Sequence, residues 1–182
     1  MIKKIALILI IFSFSNIWSQ NAESQEKIIK LEIDVPASIT EVWNAWTTED
    51  GIKSFFAPDC KVEAKPGGYF EIYILPDAEY GQKGSEGCRV LAAIPFEYFS
   101  FTWTAPPSIP SIRGQFNQVV LKFSILSTNL TKVELTHYGW GESEDWVKMY
   151  NYFKKAWEGY VLPNLKKRFE TGPVNWEEIY GK

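Results

Sequence analysis

Residues 142–170, ESEDWVKMYNYFKKAWEGYVLPNLKKRFE, carry apolar side chains at three- and four-residue steps. Trp146, Met149, Tyr150, Phe153, Trp157, Tyr160, Val161 and Leu165 form the stripe, which predicts one long helix with a single buried face. Pro163 lies inside it and should kink the helix near Asn164 or end its regular hydrogen bonding. Ser143 is the natural N-cap, and Glu142, Glu144 and Asp145 complement the helix dipole.

Nearly everything earlier reads as strand. Residues 27–35 alternate, with Ile29, Leu31, Ile33 and Val35 on one face and Lys30, Glu32 and Asp34 on the other. Pro36 ends that strand. Ser38 and Glu41 then form a capping box for a short helix whose apolar positions are Val42, Trp43 and Trp46. A second helical stretch, 49–56, stops at Pro58. Strands are predicted at 59–64, 68–75, 84–94, 97–104, 115–126 and 131–140, with Pro66-Gly67-Gly68 as a strong turn. Short links favour antiparallel neighbours. The segment 105–114, APPSIPSIRG, is longer than a hairpin needs, and suits either a lid or a fixed surface excursion. The pattern therefore predicts an α+β fold: a curved antiparallel sheet of about seven strands, two short helices after the first strand, and a long C-terminal helix as cover.

The first 19 residues change the picture of where this domain works. Lys3 and Lys4 precede an apolar run, Ile5 to Phe14, too short to span a bilayer comfortably, and polar residues follow. That layout predicts a signal peptide (1–19), a disordered linker (20–26), the folded domain (27–170) and a tail (171–182). The expected location is periplasmic or secreted, with no transmembrane anchor after cleavage. The chain has a formal net charge of −3; without the two signal lysines it has 17 basic and 22 acidic residues, a net charge of −5. An acidic domain of this kind is a poor nucleic-acid binder. Cys60 and Cys88 could pair in an oxidising compartment or remain as two buried thiols.

Four segments carry a resemblance. Residues 37–47, ASITEVWNAWT, with the aromatic turn at 52–56, come first, followed by 62–71, VEAKPGGYFE, with its PGG hairpin. Pro95 to Trp103 and the segment 156–165, AWEGYVLPNL, complete the set. In order and spacing they resemble the START-like (SRPBCC) superfamily, in the branch named after the activator of a heat-shock-protein ATPase. Ala156 stands where that branch usually has Gly. The resemblance implies a helix-grip fold with a pocket between sheet and long helix.

Chemistry is sparse. His137 is the only histidine, on the apolar face of its strand with Val133 and Leu135. It can be a buried structural group, a polar group within a cavity, or a general base. One His and two scattered Cys make no recognisable zinc set, and neither a phosphate loop nor a nucleophile elbow is present. No cofactor or metal is expected. Aromatics make up 16% of the chain, including eight Trp, which is enough either to fill a core or to line a pocket. The pocket suggested by the resemblance would draw on Phe99, Phe101, Trp103, Leu121, Phe123, Val133, Leu135, His137, Trp146, Met149, Phe153 and Trp157. The leading reading is a non-enzymatic exported domain holding a small hydrophobic or amphipathic ligand. The alternative is a co-chaperone-like module for a protein client; a cyclase- or hydrolase-like enzyme comes third.

Overall fold

The computed structural model describes residues 27–181. The expected signal peptide and linker lie outside the described residues. Strand β1 (Ile29–Val35) buries Ile29 and Val35 and exposes Lys30, Glu32 and Asp34. Helix α1 (Ile39–Thr47) opens on the expected capping box: the Glu41 amide donates to Ser38 Oγ at 3.4 Å, and the Ser38 amide donates to Glu41 Oε2 at 2.9 Å. Thr48 then separates α1 from α2 (Glu49–Lys53), accepting the Gly51 amide at 3.0 Å.

Seven strands follow the expected order but form two sheets. β2 (Asp59–Val62) and β3 (Phe70–Tyr73) make an antiparallel pair around the predicted turn, where Gly67 adopts φ 79°. The five-stranded antiparallel sheet runs β1-β7-β6-β5-β4, with β4 (Val90–Ile94), β5 (Tyr98–Trp103), β6 (Asn117–Ser127) and β7 (Leu130–Tyr138). Register shifts at Val90/Ala92 and Ile125/Ser127 add the local bending of β-bulges. The two sheets touch through a bridge between Tyr69 and Arg89 and through the Gly67 amide donating to Val90 O at 2.8 Å.

The strand predicted at 84–94 is shorter than expected. Residues 84–89 form a loop because the Glu86 carboxylate takes the amides of Gly81, Lys83 and Gly84, at 2.7, 2.6 and 2.9 Å, that a ladder would use. Gly84 is also pressed against β3, where an added Cβ would lie 2.0 Å from Ile72 O.

The long cover is α3 (Glu144–Ala156), a π turn (Trp157–Val161) and α4 (Leu162–Thr171) in unbroken succession. Ser143 is the N-cap of α3 but makes no side-chain cap bond. The break in hydrogen bonding falls one turn before Pro163, because the proline ring crowds the carbonyl four residues back, at Gly159. The π turn also keeps the stripe on the sheet. Met149, Phe153, Trp157, Val161 and Leu165 are spaced by four, and each such step drifts about 40° round an ideal helix. A wider turn, seen where the Leu162 amide donates to Trp157 O, turns the stripe back. All five side chains are buried; Tyr160, from the predicted stripe, is exposed.

The tail adds an element. Helix α5 (Trp176–Tyr180) returns to the domain, with Trp176 Nε1 donating to Lys53 O at 2.5 Å and the Val174 amide to Ser54 O at 2.9 Å. Among the described residues no helix is long and apolar enough to cross a membrane.

Candidate functional site

Where β5 ends at Trp103, the helix passes over the β2–β3 pair instead of the main sheet, and the layers part. A cleft of about 580 Å³ opens there, walled by Phe56, Ile72, Trp103, Phe153, Trp157 and the tail residues Ile179 and Tyr180. A second, of about 360 Å³, shares Ile74, Trp103, Tyr152 and Phe153 with it and runs under the loop Pro106–Ser108. A third, of about 460 Å³, shares Ile74 and Tyr180 and lies between the segment 74–78 and α5. The rim is apolar: Ile74, Leu75, Tyr152, Tyr160 and Ile179 are all exposed. Clustered exposed apolar side chains are uncommon on a surface that meets only water.

Of the twelve residues named from sequence, Trp103, Phe153 and Trp157 line the main cleft. The other nine belong to a filled interior. Phe99, Phe101, Leu121, Val133, Leu135 and Met149 are at most 1% exposed, and Phe123, Trp146 and His137 are also buried. Phe101 packs on Phe70 with ring centres 4.0 Å apart, and Trp43 meets Phe99 and Phe123 edge-on. Here the opposing layers reach each other and no space remains.

His137 is committed at both nitrogens. Trp157 Nε1 donates to its Nδ1 at 3.0 Å, so the proton sits on Nε2, which donates to Asn117 Oδ1 at 2.9 Å. Burial holds its pKa well below the ordinary value of 6.5. The ring is a neutral strut joining β6, β7 and the helix, and it fixes the indole that forms the back wall of the cleft. Trp103 contributes a polar handle on the opposite side: its indole N–H has no acceptor among the described residues.

The loop 105–114 is a fixed wall. Arg113 donates to Ala105 O at 2.6 Å, Gly84 O at 2.9 Å and Glu86 Oε2 at 2.5 Å, and Ser111 Oγ bonds Asp145 at the start of α3. Burial alone would raise the Glu86 pKa, but the surrounding backbone amides and the Arg113 guanidinium hold it below the ordinary glutamate value. Arg113, the only charged side chain in that proline-rich segment, was the available sequence signal for this clasp. The contributions of Phe56, Ile72, Ile74 and Tyr152 had no comparable signal. Cys60 and Cys88 are buried free thiols, each pushed up to about 12 by burial. Among the described residues no group of three or more His, Cys, Asp or Glu side chains is placed to hold a metal.

The family model described as "Activator of Hsp90 ATPase homolog 1-like protein" matches residues 36–170. The chain belongs to this family. Solved structures agree on the architecture of the Hsp90 ATPase activator-like fold. Protein MLL2253 from Mesorhizobium loti is similar at 19% identity and a TM-score of 0.63, over 81% of this chain and 100% of that one. The Aha1 dimer from Colwellia psychrerythraea is similar at 22% identity and a TM-score of 0.56, over 80% and 98%. CalU16 from Micromonospora echinospora is similar at 22% identity and a TM-score of 0.58, over 85% and 81%. No curated protein matches the chain. The matched family span stops at residue 170, so α5, which walls two of the three clefts, lies beyond it.

Proposed function

We propose that this Hsp90 ATPase activator-like domain is exported and non-enzymatic, and holds a small hydrophobic or amphipathic molecule between its sheet and C-terminal helix. The observation that carries this reading is the apolar cleft of about 580 Å³, a volume within the range of small-molecule sites. The free Trp103 N–H offers one directional hydrogen bond to a ligand oxygen in otherwise apolar surroundings. The commitment of both His137 nitrogens supports a holding role over proton transfer. Native mass spectrometry of protein purified from its own host tests the proposal. A bound small molecule, released chemically unchanged, is the expected result; an empty protein in every preparation, or a ligand altered on incubation, refutes it. Export is tested on the same material, whose N-terminus should lie near Gln20.

The exposed rim of Leu75, Tyr152 and Ile179 favours one second reading, a protein client whose apolar segment enters the same cleft. Co-purification of a stoichiometric polypeptide in place of a small molecule would select it.

A further inference from the structure

The three clefts are one bent groove. All share Ile74; the second and third also share Trp103, Tyr152 and Phe153, while the first and second also share Tyr180. A path along them turns round the protruding Ile74–Leu75 corner, which a flexible chain can follow and a rigid fused-ring molecule cannot. Charge is unevenly distributed along this path. Lys83 lies on the third cleft and Lys155 on the second, and neither is in an ion pair among the described residues. Asp77 and Glu177 lie on the first. A negative head group is therefore favoured at the lysine end and repelled at the other.

Tyr180 stands between the first and second clefts on a helix with few anchors. Its ring faces Trp176 at 6.2 Å, α5 has no buried residue, and Ile179 is 54% exposed. An element held mainly by the Trp176 and Val174 hydrogen bonds belongs to the low-stability end of a structure.

We infer that the groove takes a free, unbranched, single-chain anionic amphipath, head group toward Lys83 and Lys155, and that Tyr180 on the tail helix sets the chain length it accepts. This rests on the ligand-holding reading above and adds the ligand's charge, shape and limit. The tail is then a specificity element that this chain adds beyond the matched family span.

Titration of the signal-free protein with sodium decanoate, dodecanoate and hexadecanoate, below their micellar concentrations, tests the inference, with dodecyltrimethylammonium as the cationic comparison. Wild type should bind dodecanoate about 10-fold more tightly than the cation, and Lys83→Gln with Lys155→Gln should remove that preference. Each extra buried methylene is worth roughly fourfold in affinity, so Tyr180→Ala should raise the hexadecanoate-to-decanoate affinity ratio by about 10-fold or more. Tyr180 ends a short surface helix, and circular dichroism should show the variant folded. An unchanged chain-length order in Tyr180→Ala, or equal affinity for anion and cation in wild type, overturns the inference while leaving the ligand-holding role intact. Failure of every probe to bind either protein removes both.

Discussion

Two aromatic regions lie side by side in this molecule. Around Phe70, Phe99, Phe101 and Trp43 the rings interlock and no space remains. Around Trp103, Phe153 and Tyr152, a few residues further along the same strand and helix, a cleft opens. Side-chain type does not distinguish them. The difference lies in what stands opposite: the main sheet faces the closed region, and the detached β2–β3 pair with its loop faces the open one. Trp157 sits on the boundary, bonded to His137 on the closed side and in ring contact with Trp103 on the open side. A pocket in this fold is a mismatch between layers, and aromatic composition alone does not create it.

The hardest test of that boundary is Trp157→Ala. Loss of a buried indole should cost about 3–5 kcal/mol in urea unfolding; a cost below about 1 kcal/mol would mean that the closed side does not depend on it. Next comes the clasp that keeps the open side open. Arg113→Leu leaves the Glu86 carboxylate without its cation, and should cost about 3 kcal/mol while loosening the loop over the third cleft, read as faster amide exchange at 105–114. An equally stable variant with unchanged exchange would show that the wall stands without it.

His137→Phe keeps the ring volume but strands two buried polar partners, Asn117 and Trp157, for a loss of about 2 kcal/mol at pH 7. The same variant should alter the pH profile. The folded imidazole resists protonation because it is buried, whereas the unfolded chain takes up a proton as the pH falls through about 6.5. Wild-type stability should therefore drop on acidification from that point, by up to about 1.4 kcal/mol per pH unit. The phenylalanine variant should lack this component. Identical slopes in the two proteins would rule out a buried neutral histidine. The smallest effect belongs to the rim: Tyr152→Ser should change stability by less than about 0.5 kcal/mol, yet weaken any cleft ligand by several-fold in a binding titration.

Periodicity made the closed region readable in advance. The alternation of β1, the Ser38–Glu41 capping box and the helical stripe from Trp146 to Leu165 each appear where the chain pattern places them. The same logic could not separate Phe101 from Trp103. Both point inward from one strand, and inward says nothing of whether an opposing side chain arrives. Local hydrogen bonding hid the loop at 84–89: its residues alternate like a strand, but a single carboxylate, Glu86, collects their amides. The tail was hidden for a third reason. Five residues are too short to show a period, and α5 is held by backbone carbonyls of α2 and its cap that no pattern reveals.

The π turn at Trp157–Val161 amounts to about one residue more than an α-helical turn would hold. Gly159 sits on its outer side, exposed, where an added Cβ would meet nothing within 4 Å. Excising that single codon would let the helix wind regularly and rotate everything downstream by about 100°. Val161 and Leu165 would swing off their seats, and the tail would leave the cleft. The reading frame of the whole C-terminal third thus hangs on one surplus residue, and homologues should gain or lose it only together with the tail.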